Sequence, residues 1–593
     1  MKYFLNGSLN LILAIIFFLI FQSNIKISAQ SFDEGSAGRL FVIAFPATQT
    51  DKLDNFSTPD KTEANSYLCM FSQVAQTVSI KRPDGLFDLV KVLAKKPYIY
   101  DIVSKNKLVA GTIDPFIQTP DVVNAGRTFR IESPDPILVY CYMETKTQAE
   151  AWAPVPCEQW GKEYYASTVP GTVIRFSSRG NNIPAPSQII TTSLDTNTLI
   201  YYQVPGYGTV NQAAVTPQGA RNVVFIGQDD SYAIHSAVSM NGNLVIASDI
   251  GGTKITSEKP FGVISGNMRS NGGFQPDTVF RGITRNSHKN MLIEAMSPIQ
   301  TLGKEFVFMP TWDGKQELGL APQTGGALRK NEIVRFIGTS ANNTVVTSTD
   351  SYTTTGLPLF TRQISNSTGS VLPNNQFIVT PTSSVFSTFE ATYFKSDKPT
   401  EAYSTSSAYA EQMFGGLTLE GAQTSAFTQA PYMVELVPRE QWIKSGPFFT
   451  PETAMDNYLN IVTDSATASS QSIEITNNNG SASKIIFTKK VKGSDLVWAT
   501  IKLQMNTFGF LNSSSGKFYA VCYGLSRDNS GFENQRPRAQ YLEYSSRSYG
   551  YPIAPNKWYL QPHDSVKIDT SYTCPALDAV SYTHLTLPTS DLV

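Results

Sequence analysis

Charge is scarce in this chain: Lys, Arg, Asp and Glu make up 16% of its 593 residues. An average soluble protein carries roughly 25%, so long solvent-facing helices and outright disorder are both disfavoured. Neither sign dominates, because 47 basic against 48 acidic residues leave a net charge of −1. Without a basic excess there is no electrostatic footprint for nucleic acid or for an anionic membrane. Histidine is rarer still, with four residues. His235, His288 and His563 each stand alone, and the fourth, His584, falls in the C-terminal tail. No H-E-x-x-H, C-x-x-C, G-x-S-x-G, Walker or EF-hand spacing occurs, so zinc catalysis, serine hydrolysis and nucleotide binding have no motif behind them and no cofactor is implied. Five cysteines are too few for a disulfide scaffold in a chain of this length. Beyond the N-terminus no stretch approaches eighteen apolar residues, so no membrane span is expected.

The two ends read differently from the rest. Lys2, eleven apolar residues from Leu11 to Phe21, and the small-residue end Ile27-Ser28-Ala29 have the order of a secretory signal cut after Ala29. Eleven residues cover roughly 16 Å as helix, about half of a hydrocarbon core, so residues 1–29 are expected to be a leader and the protein to be secreted. At the other end, Val580 to Thr589 resembles a sequencing adapter translated in one frame. Residues 580–593 are therefore expected to be an artefact tail, with the native sequence continuing differently beyond about Ala579.

Between these ends the sequence repeats at about 140 residues. VPCEQWGKEYYASTVP (Val155 to Pro170), MSPIQTLGKEFVFMP (Met296 to Pro310) and VPREQWIKSGPFFTP (Val437 to Pro451) share a Pro turn, a Gln, a Trp or Leu, and an aromatic strand. Trp160, Leu302 and Trp442 are 142 and 140 residues apart, and AGRLFVIAFP, with Gly38, is a more degenerate copy. A second element, Ser-x-x-Pro, recurs as SPDPILVYCY at Ser133, SEKPFGVISGN at Ser257 and SDKPTEAYSTS at Ser396. Proline lacks a donor and fixes φ, so this element reads as a turn entering a strand. Two elements with matching offsets predict units at 30–152, 153–294, 295–434 and 435–579, the last diverged or incomplete. Runs such as Leu199 to Val204 and Asn222 to Gly227 are β-branched and aromatic. Helical periodicity is scarce, and its best candidate, Gly85 to Lys96, reads equally as strands. The fold class is all-β, most simply tandem β-sandwiches, with propeller-like or composite-barrel closure as the alternatives.

EQWGKEYY, LGKEFVFMP, FIGTSANNTVVTS and SDKPTEAY, in this order from about Leu40 to Tyr523, resemble the IgGFc-binding protein N-terminal domain. The resemblance implies an extracellular binding or adhesive protein without catalytic activity, not binding to immunoglobulin itself. The sequence departs from the pattern at Thr301-Leu302, where Trp is expected, and at Ile443-Lys444-Ser445 after the last Trp.

The remaining site candidates are modest. Cys141 and Cys157 flank a unit boundary and are expected to form a clip in an oxidising compartment, with Cys69, Cys522 and Cys574 leaving an odd thiol. Glu158 and Glu163 could be imagined as glycosidase carboxylates, but Glu305 recurs at the position of Glu163, which speaks for repeat architecture. Trp160 and Trp442 are expected to be buried anchors. Arg527, Arg536, Arg538 and Arg547 alternate with Tyr541, Tyr544, Tyr549, Tyr551 and Trp558, a composition enriched at binding hot spots, and this stretch is the expected interaction surface. Arg281, Arg285, His288 and Lys289 form a lesser basic patch. N-x-S/T acceptor sites stand at Asn55, Asn342, Asn366, Asn479 and Asn512. The expected partner is an extracellular glycoprotein or glycan, with self-association, a structural coat role and polysaccharide hydrolysis as rivals.

Overall fold

The Ser-x-x-Pro segments lie inside strands, not at their entrances. The computed structural model describes residues 37–48, 66–102, 118–145, 148–175, 182–210, 214–241, 244–270, 289–311, 331–339, 344–348, 371–372, 376–379, 384–387, 391–407, 431–452, 456–525 and 547–557. In it, Thr128–Glu144, Lys254–Ser270 and Thr392–Ser407 are single long strands with the Pro near their middle. The ladder to the neighbouring strand skips there: Leu40 pairs with Glu132 but Gly38 with Ile137, and Glu305 with Lys395 but Gly303 with Thr400. Such a bulge needs no donor from the proline, which is why it is tolerated in mid-strand as well as at a strand's start. The Ser side chain supports the bend locally, the hydroxyl of Ser257 accepting the Lys259 N–H at 3.2 Å.

Each long strand is the sixth of seven strands common to the sets, short additions such as Val123–Asn124 and the hairpin Thr172–Arg175/Asn182–Ala185 aside. In the first set these are Gly38–Ala44, Tyr67–Ser72, Gln76–Lys81, Phe87–Val92, Tyr98–Asp101, Thr128–Glu144 and Ala149–Trp152. Before its bulge the sixth strand pairs with the first and third; after it, with the second and seventh. The fourth strand joins the third and the fifth joins the second. The result is two four-stranded antiparallel sheets that share one strand and enclose a core, a β-sandwich. The same pairings recur from Gly161–Tyr165 to Asn290–Ala295 and from Gly303–Phe308 to Tyr432–Glu435. They recur once more from Ser445–Phe449 to Ser548–Pro552, where the sixth strand is broken into Phe508–Ser513 and Phe518–Leu525. Gly85 to Lys96 resolves as strand, Phe87–Val92, and the α-helix Ser465–Ser469 is a short insertion.

The anchor elements tie one set to the next. Each contains a 3-10 turn, Cys157–Gln159, Ile299–Thr301 or Arg439–Gln441. The indole N–H of Trp160 closes its turn onto the Val155 carbonyl at 3.0 Å, and that of Trp442 closes onto Val437 at 3.3 Å. Both rings are buried. The turn packs on the glycine that opens the preceding set. A Cβ on Gly38, Gly161 or Gly303 would lie 2.2, 2.4 or 2.4 Å from the Cβ of Pro156, Pro298 or Pro438. Gly303→Ala should therefore lower stability by about 2 kcal/mol or more through overpacking, read as a drop in the thermal midpoint.

The sets close on themselves. The core of the first set, with Phe41, Leu68, Val78, Phe129 and Trp152, takes in Met291, Ile293 and Ala295 of the second. The second set's core includes Tyr403 and Met433 of the third, and Val307, Tyr432 and Val434 of the third pack with Tyr458, Trp498 and Tyr523 of the fourth. The circuit is completed by one cluster joining Phe71, Tyr140 and Tyr142 of the first set to Phe448, Phe510, Tyr549 and Tyr551 of the fourth. The chain through Leu560 is accordingly one compact unit; Gln561–Val593 lies outside the described residues.

Candidate functional site

Two features stand apart from ordinary sandwich packing. The first is on the outside. Strands of a half-exposed antiparallel sheet place polar residues outward, but Phe87–Val92 exposes Phe87 (64%) and Leu89 (75%), and Arg221–Ile226 exposes Val223 (56%) and Phe225 (65%). Both are the fourth strand of their set, and both end their sheet, so among the described residues no strand pairs with their outer edge. On the second set the patch extends to Tyr201, which faces Val223 across the ladder and carries the Arg221 guanidinium 4.4 Å above its ring. The first set adds Leu86, also exposed. The fourth set exposes Ile486 just after its fourth strand, Ala482–Lys484. Apolar side chains beside an unpaired backbone edge form the kind of surface that binds another chain.

The second feature is inside. The four seventh strands, Ala149–Trp152, Asn290–Ala295, Tyr432–Glu435 and Ser548–Pro552, pack side by side in a closed circuit. At one end Asn290 reaches all three others: its Nδ2 donates to the carbonyls of Ala149 (2.6 Å), Pro431 (2.9 Å) and Ser548 (2.9 Å), and its Oδ1 accepts the Ala149 N–H (3.0 Å). Next, Glu150 accepts N–H groups from Met433 (3.0 Å) and Gly550 (2.9 Å). Then Glu294 accepts the Glu435 N–H at 3.1 Å. Last, Glu435 is held by Ser297 and Lys557, whose Nζ also donates to the Ser297 hydroxyl at 2.6 Å. Burial pushes the Glu150 carboxyl well above the usual carboxylate range. Burial and the Glu435 carboxylate push Glu294 up to about 8. Glu401, buried beside Tyr403, is raised in the same way. Nothing in the sequence marked this column, because its glutamates sit at unequal distances from the anchor turns.

The expected sites fare unevenly. Tyr549 and Tyr551 are core residues, with hydroxyls bonded to Asn457 Oδ1 (2.7 Å) and to the Phe449 carbonyl (2.6 Å), and Arg547 is ion-paired with buried Glu144. They belong to a seventh strand and its approach, so this part of the expected surface is interior; Arg527, Arg536, Arg538, Tyr541, Tyr544 and Trp558 lie outside the described residues. The Cys141–Cys157 clip is not formed. Both are free buried thiols, Cys141 facing the first core and Cys157 packed with Val42 and Trp160, and Cys69 and Cys522 are free as well. Glu158 accepts the Arg39 N–H at 2.6 Å and Glu163 pairs with Lys254 at 2.7 Å, each a structural contact within the repeat. His235 is buried in a strand, where desolvation drives its imidazole down to about 4. Lys289 is buried and donates to the Val173 carbonyl, while Arg281, Arg285 and His288 lie outside the described residues. Asn479 is exposed in a turn, its Oδ1 accepting from both the N–H and the hydroxyl of Ser481. Asn512, by contrast, lies in a central strand with its Nδ2 buried and unbonded. Asn55, Asn342 and Asn366 lie outside the described residues.

Among the described residues no three His, Cys, Asp or Glu side chains are placed to hold a metal, and no helix is long and apolar enough to cross a membrane. The described residues thus form a closed circuit of sandwiches with apolar outer edges, and the family match points to a binding-type protein. The chain belongs to the IgGFc-binding protein family, whose model matches residues 150–524, from the first seventh strand to the last sixth. No curated protein matches the chain.

Proposed function

We propose that this is a secreted, non-enzymatic adhesive protein that binds extracellular protein through the outward edges of its first two sandwiches. The observation that carries the reading is the recurrence of exposed apolar residues on the same unpaired strand of both sets, at Phe87 and Leu89 and at Val223 and Phe225. An unpaired edge supplies main-chain hydrogen bonds to an added strand, and the alternate apolar side chains supply specificity, which favours an extended protein segment over a glycan. Two similar edges on one compact unit let weak contacts add through effective concentration. The leader-like order of residues 1–29 in the sequence speaks for secretion, and of the two acceptor sites among the described residues the exposed Asn479 suits a glycan better than Asn512. Polysaccharide hydrolysis is disfavoured by access. The carboxyls with raised pKa values, Glu150, Glu294 and Glu401, are all buried, where a polymer cannot reach them.

The test is surface plasmon resonance of the full chain against immobilised extracellular glycoproteins, before and after their enzymatic deglycosylation. Double variants Phe87→Lys/Leu89→Lys and Val223→Lys/Phe225→Lys should each weaken binding at least tenfold, about 1.4 kcal/mol, with the thermal midpoint unchanged and with binding surviving deglycosylation. Wild-type binding by both variants, or binding lost with the glycans, would overturn the reading.

A further inference from the structure

Lys557 is one of the few lysines to lose nearly all contact with solvent: its side chain is 2% exposed, and that of its partner Glu435 is 4% exposed. The pair is assembled from distant parts of the chain. Glu435 ends the third seventh strand, Lys557 follows the last seventh strand, and Ser297, whose hydroxyl contacts both, lies between the second seventh strand and its anchor turn. The Tyr519 hydroxyl fixes the Glu435 backbone through its carbonyl at 2.6 Å, and the Glu294 carboxyl fixes it through its N–H. Amine and carboxyl are thus in contact and buried from solvent.

We propose that Nζ of Lys557 and Cδ of Glu435 become joined as an amide, a covalent staple across the circuit. Three features favour the condensation. Fixed contact gives the effective concentration that turns a slow bimolecular step into an intramolecular one. Exclusion of water removes the solvent that would reverse it. The product replaces two buried charges, whose desolvation is costly, by one neutral amide. The step balances without a co-reactant. A proton passes from Nζ to Oε2, leaving a neutral amine against a carboxylic acid. The Nζ lone pair attacks Cδ, the Nζ–Cδ bond forms, and the Cδ–Oε2 bond breaks as the hydroxyl departs. A neighbouring carboxyl, Glu294 or Glu401, gives the hydroxyl its second proton and takes one from nitrogen, so that one water leaves and nothing is oxidised. Both are buried and raised above the usual carboxylate range, Glu294 to about 8, which favours the protonated form this role needs.

Peptide mass spectrometry of the full secreted chain tests the proposal directly. The expected species is a branched pair of peptides carrying Glu435 and Lys557, lighter than their sum by one water. A second reading is electrophoretic: the closed loop, whose ends are 122 residues apart, should make the boiled, reduced chain migrate faster than its Lys557→Arg variant. Glu435→Gln should form the same amide with loss of ammonia instead of water, which a mere ion pair would not do. Recovery of Glu435 and Lys557 in separate, unmodified linear peptides from folded wild-type protein would overturn the proposal, whatever the variants do.

Discussion

Asn290→Ala is expected to cost about 3–5 kcal/mol, more than any single exposed substitution in this chain, and to lower the unfolding transition of the whole body. The side chain binds three carbonyls and one N–H from the other three seventh strands. Alanine would remove this partner from the Ala149 N–H and the Ala149 and Ser548 carbonyls, the Pro431 carbonyl keeping the Ser548 hydroxyl at 3.0 Å, and each orphaned group costs about 1–3 kcal/mol. Because those groups belong to the first, third and fourth sandwiches, the loss cannot be confined to the second. Differential scanning calorimetry should show one transition displaced downward, not a new early one. Loss of a single sandwich ahead of the others would mean that the circuit contributes little to cooperativity.

Acidification from pH 8 to about pH 6.5 should stabilise the protein. Glu294 titrates near 8 when folded and in its ordinary range when unfolded. Its contribution is therefore fully present below about pH 4.5, shrinks as the unfolded chain ionises, and is lost once pH passes 8. For a shift of this size the difference is on the order of 5 kcal/mol. Glu150 and Glu401 are raised by burial and act in the same direction. Buried His235, lowered to about 4, opposes this below about pH 6.5, so thermal midpoints at fixed ionic strength should rise from pH 8 to about pH 6.5, and Glu294→Gln should flatten that slope. A midpoint that falls on acidification would place these carboxyls in their charged form inside the column.

The sequence carried the unit of this fold better than its assembly. Gly38, Gly161 and Gly303, with the Pro of each following anchor turn, are visible as a repeat because a steric contact preserves them. Ser-x-x-Pro was equally visible but ambiguous, since a missing donor suits a strand's start and a mid-strand bulge alike. Closure was not legible. The seventh strands read AEAW, NMLIEA, YMVE and SYGYP, and buried glutamates run against every compositional expectation. Tyr549 and Tyr551 were misplaced for a related reason: an aromatic ring with a bonded hydroxyl serves a core as well as an interface. The exposed edges could have been found. FDLVKV and RNVVFI carry apolar residues at both parities, and only one parity can face the core of a sheet that ends there.

The closed circuit also limits how such a protein can grow. An open array gains or loses one repeat at a time, each module meeting only its neighbours. Here the last sandwich must meet the first, and Asn290 is cut to fit three companions. A gene that duplicated one module would yield a strand with no seat at the centre. Growth that keeps the circuit closed would come in whole rings of four, so a longer relative should be several such bodies on a string, not a larger wheel.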